Sequence, residues 1–528
     1  MARTFRQSQA TLHTWSGLLL GWVLFIVFLT GTAAYWRETL NRWMHPETPR
    51  VERPAEVLDH VQRFLDRTAP DAQSWFITLA TPQSPGAYAF WVPKPDPDAP
   101  DGGRRRRSDT TVLIGADGAP VARETRGGDF FYRFHFDLHY TPVLWARWLV
   151  GIASMMMLVA ILTGIVTHKK IFRDFFTLRR AKGQRSWLDG HNATAVLALP
   201  FHLMITYTGL VTLATLLMPA AVIADYGAQN RIFEAIFPRP PVVEPLGRAT
   251  PMVPLAPIIR DAEHRFGGPA GYLEVAHPGD AAARITVTRA SSATLSSHGA
   301  SVSYDGTTGR MLWQSPPRGA AMTTYGAMIG IHAGRFGDTL LRWLYFLAGV
   351  AGTLMVATGL VLWTVKRREK LAAPDRPPFG FRVVERLNIA VVGGFPLACV
   401  AYLLANRLLP LGGAGRADRE IAAMFIVWGV ATLLAMILRP RVGWTLLLAA
   451  TALALFSLPV LDLLAPHPGP MAWLADGDWA MVGVEAVLLV LAIGFGWSAR
   501  RVWRHSPRTR APRAVRAAVG VRQPVPAE

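Results

Sequence analysis

Apolar positions gather into eight long stretches, roughly 12–36, 142–167, 192–217, 338–365, 387–409, 421–438, 442–463 and 479–499, with polar sequence between them. A helix needs ~20 mostly apolar residues to cross the hydrocarbon core, so the pattern predicts eight membrane spans. The first stretch follows Arg3 and Arg6 and carries no small-residue cleavage site after its apolar run, so it is expected to stay as a retained helix. No broken helix is visible in the pattern of the first four spans.

Two intervening segments, 37–141 and 218–337, read differently. In the first, Ala55 to Thr68 has helical spacing, Ser74 to Leu79 and Ala87 to Val92 read as strands, and Thr111 to Ile114 with Val121 to Glu124 flank an Ala-Asp-Gly turn. In the second, Pro257 to Phe266 is helical, Ala283 to Thr288 is a strand, and Ser301 to Tyr304 with Met311 to Gln314 flank a second turn. The expected fold class is a predominantly α-helical polytopic membrane protein carrying two small α+β modules. The domain order is 1–36 first span, 37–141 first module, 142–217 second and third spans with a basic loop, 218–337 second module, 338–370 fourth span, 371–499 four further spans, and 500–528 basic tail.

Composition agrees, with 51% hydrophobic and only 17% charged residues among 528. The formal charge of +19 alone would allow nucleic-acid binding. The Lys and Arg residues instead abut apolar stretches: Lys169, Lys170, Arg173, Arg179, Arg180 and Lys182, then Lys366, Arg367, Arg368 and Lys370, then Arg439 and Arg441, then the tail from Arg500. Alternating spans put all of these on one side, as the positive-inside rule requires. Both termini are then expected in the cytoplasm of a bacterium, both modules in the periplasm, and the lipid bilayer rather than nucleic acid around the chain. Arg104 to Arg107 lie in a Pro, Asp and Gly-rich insertion and read as a solvated hairpin tip. The single cysteine, Cys399, rules out an internal disulfide, an Fe–S cluster and a thiolate zinc site, and the absence of CxxCH rules out covalent c-type haem.

A repeat organises the histidines. Thr-Gly recurs in each of the first four spans, as Thr30-Gly31, Thr163-Gly164, Thr208-Gly209 and Thr358-Gly359. His13 precedes Thr30 by 17 residues, and His191 precedes Thr208 by 17. Arg147-Trp148-Leu149 and Arg342-Trp343-Leu344 each begin 16 residues before their Thr, with His139 and His332 shortly upstream. The unit is helix, module, helix, used twice, and parallel repeats of this kind are related by a pseudo-two-fold axis along the membrane normal. Such an axis places His13 opposite His191 and His139 opposite His332, and two facing imidazoles are what a six-coordinate haem iron needs. His202 falls 11 residues after His191, three turns on and about 16 Å deeper on nearly the same face if the helix is straight. Its repeat counterpart is Leu24, so symmetry offers it no partner, and it reads as a ligand or a relay. His168 ends the second span and either ligates or extends to the interface. His135 lies i, i+4 from His139 but is unmatched in the repeat. Histidines 45, 60, 264, 277, 298, 467 and 505 lack metal-like spacing and are assigned no role, and spans five to eight contain none. Irons at both membrane edges would stand up to roughly 30 Å apart.

Leu12-His13-Thr14-Trp15-Ser16-Gly17, Asp137-Leu138-His139, Thr163-Gly164-Ile165-Val166-Thr167-His168, Trp187-Leu188-Asp189-Gly190-His191-Asn192, Leu199-Pro200-Phe201-His202 and Ile331-His332-Ala333-Gly334-Arg335-Phe336-Gly337 resemble the PepSY-associated transmembrane helix family, and especially its inner-membrane ferric-siderophore reductases. The resemblance covers about the first 370 residues. It implies PepSY-like periplasmic modules, two b-type haems held by helix histidines (His13, His139, His168, His191, His202 and His332 being the candidates) and reduction of periplasmic ferric siderophore to release Fe(II). No GxGxxG or GxxxxGK occurs in the short cytoplasmic loops, so electrons are expected from a cytoplasmic reductase partner or from membrane quinol. The alternative is a haem-free PepSY scaffold that binds peptides or regulates a periplasmic protease, and a third reading, a transporter, lacks a broken helix or an intramembrane acid in the first four spans.

Overall fold

In a computed structural model of the chain, the structure describes residues 4–94, 110–168, 179, 183–227, 231–373 and 376–505. Arg104 to Arg107, the loop cations other than Arg179 between Lys169 and Lys182, and the tail beyond 505 lie outside the described residues. Among the described residues, six helices are long and apolar enough to cross a membrane: Val143–Thr167, Thr339–Arg368, Phe379–Leu408, Arg416–Ile437, Pro440–Leu464 and Trp479–Arg504. Two further spans are bent pairs, Phe5–Leu19 with Gly21–Ala34 at 65°, and Gln184–Leu197 with Leu199–Thr212 at 68°. The molecule is a predominantly helical polytopic membrane protein.

The bends correct the expectation of unbroken helices. They fall at Leu20 and Ala198, which are repeat equivalents and share one backbone conformation, φ −116°, ψ 7° and φ −112°, ψ 23°. In the third span the break is written in the sequence, because Pro200 has no N–H to donate to the preceding turn. In the first span no proline marks it. Small residues then let the bent helices approach their neighbours: a Cβ added to Gly349 would meet Thr32, one on Gly352 would meet Phe28, and one on Gly151 would meet Leu217.

The two modules form a single sheet. Seven antiparallel strands, β1 Ser74–Thr78, β2 Ala87–Val92, β3 Thr111–Ile114, β4 Ala270–Ala276, β5 Arg284–Arg289, β6 Ser301–Asp305 and β7 Met311–Gln314, run in the order β3-β2-β1-β4-β5-β6-β7. The seam is β1 against β4, with Phe76 opposite Glu274. Alternation along the strands sends Trp75, Ile77, Leu273, Val275, Ile285 and Val287 into a core under the helices Pro54–Thr68 and Leu255–Phe266. The opposite face carries Phe76, Phe90, Tyr272 and Glu274 and roofs a cavity of about 1850 Å³. The strand β4 has no counterpart in the sequence-based expectation, whereas Val121 to Glu124, expected as a strand, is irregular chain beyond a lone bridge from Ile114 to Pro120.

Spans five to eight lock onto the first module through buried polar groups. Arg416 and Glu420 form a fully buried ion pair, and Asn406 donates to the same carboxylate at 2.9 Å. Arg407 pairs with Asp462 at 2.6 Å and lies 3.8 Å over the Trp43 ring, whose indole N–H donates to Glu485 at 2.6 Å. Tyr402 donates to the Gly127 carbonyl at 3.0 Å, and Arg123 joins Glu47 to the Asn406 carbonyl. At the other end, Arg6 donates to the Thr167 carbonyl at 2.9 Å, Arg386 to the Ala435 carbonyl at 2.7 Å, and Arg441 to that of Trp503. The basic helix ends therefore gather on the side away from the sheet. A π-turn at Ile389–Gly393 in the fifth span sits where Trp22 donates to Asn388, and Asn388 to the Leu360 carbonyl, fixing the bend of the first span.

Candidate functional site

Each Thr-Gly seats one histidine. The carbonyl three residues before the Thr accepts a hydrogen bond from an imidazole Nδ1: Ala160 from His13 at 2.8 Å, Met355 from His191 at 2.8 Å, Val27 from His135 at 2.7 Å and Ile205 from His332 at 3.1 Å. The Thr hydroxyl shares that same carbonyl in all four, at 3.0–3.4 Å. The glycine supplies the room, since a Cβ built on Gly31, Gly164, Gly209 or Gly359 would come within 2.6, 3.2, 2.9 or 3.1 Å of the ring it faces. A seat of this kind fixes the ring and its tautomer and keeps Nε2 available, the arrangement that orients metal-ligating histidines.

The seats lie within each repeat, and the axis brings them together in pairs. His13 and His191 have ring centroids 6.2 Å apart, as do His135 and His332. A metal–imidazole bond of ~2.0 Å plus ~1.1 Å from nitrogen to ring centre, taken twice, is about 6.2 Å, the centroid separation of two imidazoles aligned on one metal ion. The partner of His332 is thus His135 and not His139. The helix Gly127–Asp137 ends at Leu138, whose left-handed φ of 41° turns the chain and swings His139 away. His139 packs instead on Tyr140 at 4.4 Å and on Phe425 of the sixth span at 5.9 Å, and it lines the large cavity under the sheet. In sequence His135, His332 and His139 stand 12, 10 and 8 residues before the Arg of their Arg-Trp-Leu, so the repeat alone favours neither candidate.

A cavity of about 520 Å³ surrounds the His135/His332 pair, within the 300–1,000 Å³ usual for small-molecule and cofactor sites. It shares Arg37, Tyr132, Phe237, His298, Arg335 and Arg342 with the larger cavity, so the two adjoin. A family model described as the PepSY-associated TM region matches residues 10–366. The chain belongs to this family. The matched stretch ends with the fourth span, taking in all four histidine seats and the whole sheet and leaving spans five to eight outside. An uncharacterized protein of Pseudomonas aeruginosa is 28% identical over 384 residues, which is 67% of this chain and 91% of that protein.

His202, in the third span of this PepSY-associated chain, is fully buried beside Phe28, with ring centroids 6.0 Å apart. Neither of its ring nitrogens has a hydrogen-bond partner of good geometry among the described residues. The bend at Ala198 separates it from His191, so the shared helix face expected from an 11-residue spacing does not exist. It lies between the pairs instead. Its Nε2 approaches Gly352, seven residues before the Gly359 that seats His191, and it stands seven residues before the Gly209 that seats His332, each about 10 Å of helix. His168 caps the second span one turn beyond Gly164, within electrostatic reach of His13 and His191.

Proposed function

We propose that this chain is a b-type cytochrome of a bacterial inner membrane that carries electrons outward and reduces ferric siderophore in the periplasm, releasing iron as Fe(II). The observation that carries the reading is the pair of repeat-related histidine pairs, each 6.2 Å apart with Nδ1 committed to a helix carbonyl. In this reading His13 and His191 hold one haem and His135 and His332 the other; bound there, haem supplies one-electron chemistry that no side chain offers. His202 acts as a relay residue rather than a ligand, and His168 stays at the basic end without ligating. Neighbouring imidazoles held half-way, about 10 Å from each seat, replace the gap of roughly 30 Å expected for edge-to-edge irons.

The positive-inside rule assigns the basic helix ends and both termini to the cytoplasm and the sheet to the periplasm. An electron donor, a reductase or membrane quinol, then serves the His13/His191 pair, and the cavity of about 1850 Å³ beneath the sheet receives the iron chelate. That volume exceeds the range of drug-sized pockets, and its wall is rich in guanidinium and aromatic groups, among them Arg239, Arg284, Arg289, Phe76 and Phe90, suited to a large anionic chelate. Reduction weakens the bond of hard oxygen ligands to iron, so the metal leaves without cleavage of the siderophore.

Purified protein tests the reading. A Soret band with about two haems per chain, and reoxidation of the reduced protein by ferric siderophore, are expected. Absence of haem overturns the cytochrome reading; haem that ferric siderophore fails to reoxidise overturns the substrate alone.

A further inference from the structure

Two repeat-related arginines stand at the sheet end of the cavity around His135 and His332. Arg147 and Arg342 open the Arg-Trp-Leu motif of the second and fourth spans, and both line that cavity. Each donates a hydrogen bond through Nε, and the Arg147 guanidinium also lies 5.4 Å over the Phe136 ring. Arg147 Nε donates to the Asp137 carboxylate at 2.8 Å, and Arg342 Nε to the Gly337 carbonyl at 3.2 Å. No hydrogen bond to their terminal nitrogens occurs among the described residues. Arg335, which lies 5.4 Å over the Tyr132 ring on the same wall, has no carboxylate in ion-pair contact among the described residues, and neither has Arg342. The rim of an otherwise largely apolar cavity thus carries guanidinium forks in excess of the acids that would neutralise them, and such forks recognise carboxylates in bidentate fashion.

We propose that Arg147 and Arg342 each take one of the two propionates of the haem between His135 and His332, an inference that rests on the cytochrome reading above. A haem carries its two carboxylates on one edge, related by the macrocycle's own approximate symmetry, and the axis that relates Arg147 to Arg342 also relates His135 to His332. One axis therefore serves the ligands and the carboxylates together. Haem held there would have its propionates at the Arg147 and Arg342 end of the cavity, and cations beside it would favour the reduced iron by attracting the added electron.

Potentiometric titration of the full-length holoprotein tests this, with the His135→Ala variant identifying which midpoint belongs to which pair. Arg147→Gln and Arg342→Gln are expected to shift the His135/His332 midpoint to more negative potential and to make it depend on pH as the released propionate titrates. The His13/His191 midpoint stays in place, and Arg342→Lys recovers most of the shift. Unchanged midpoints at full haem content, or a shift confined to the His13/His191 pair, overturn the proposal. If a glutamine variant loses the haem, recovery of haem in the lysine variant supports it and continued loss overturns it. A wild-type protein without a Soret band removes the cytochrome reading itself, an outcome visible before any variant is made.

Discussion

The His135 ring lies so close to Gly31 that a Cβ built on the glycine would stand 2.6 Å from both Cε1 and Nδ1. No real side chain tolerates that approach, and the Nδ1 bond to the Val27 carbonyl at 2.7 Å keeps the ring from retreating. Gly31→Ala is therefore expected to unseat His135, to cost about 1–3 kcal/mol as an overpacked core does, and to remove the His135/His332 haem. The corresponding clearance at Gly164 is 3.2 Å, a matter of tenths of an ångström, so Gly164→Ala should keep the His13/His191 haem. Haem-to-protein ratios of the two variants check the order; equal retention in both would sink the seat.

His135 and His139 stand one helical turn apart in sequence but face different cavities, because Leu138 at φ 41° ends the helix between them. His135→Ala should lose about half of the bound haem, one of two bis-histidine sites, while His139→Ala keeps the full complement. Axial-ligand spectroscopy on the two purified variants decides it, and loss of a bis-histidine signal in His139→Ala would restore the pairing that the sequence suggested.

The eight spans, the duplication and the Thr-Gly motifs were legible because they depend on long apolar runs and on fixed spacing, which a linear string preserves. The seats were half legible. Each Thr-Gly announces a close approach, but what approaches it comes from another helix, and only the fold shows that His135 reaches Gly31. The bend at Leu20 left no mark of its own, since Trp22 stands where the other repeat has Pro200. The strand β4 escaped because Ala-Gly-Tyr-Leu-Glu-Val-Ala alternates weakly, with Gly271 and Glu274 on the cavity face; its pairing with β1, which makes one sheet of two modules, is a long-range contact invisible to local pattern. Intramembrane acids were sought in the first four spans, whereas Glu420, Asp462 and Glu485 lie in the last four.

A buried polar group without hydrogen bonds costs roughly 1–3 kcal/mol, and His202 bears that cost at a position where the other repeat places Leu24. His202→Leu should raise stability by about that amount, because the fold already accommodates leucine at the equivalent site. Both haems should remain, and electron exchange between them should slow. Thermal unfolding in detergent and the kinetics of reduction of the second haem measure the two effects; a stabilised variant with unchanged exchange would make His202 a packing residue.

Acid sensitivity should arise at the junction between the first module and spans five to eight. His45, buried to 2% exposure, is pushed down to about 4 by desolvation, with the hydrogen bond from its Nδ1 to the Asn41 carbonyl opposing that shift and Arg123 adding to it. An unfolded imidazole takes its proton near 6.5 and the folded one only near 4, so between those values the unfolded state binds more protons and stability falls as pH falls. At ~1.4 kcal/mol per pH unit the native state should lose up to about 3 kcal/mol across that window and show no His45 contribution to the slope above it. His45→Leu sacrifices the Asn41 bond at every pH but flattens the acid limb. Unfolding free energies from pH 4 to 8 in the same detergent compare the slopes, and an identical acid limb in the variant would assign the sensitivity to other groups.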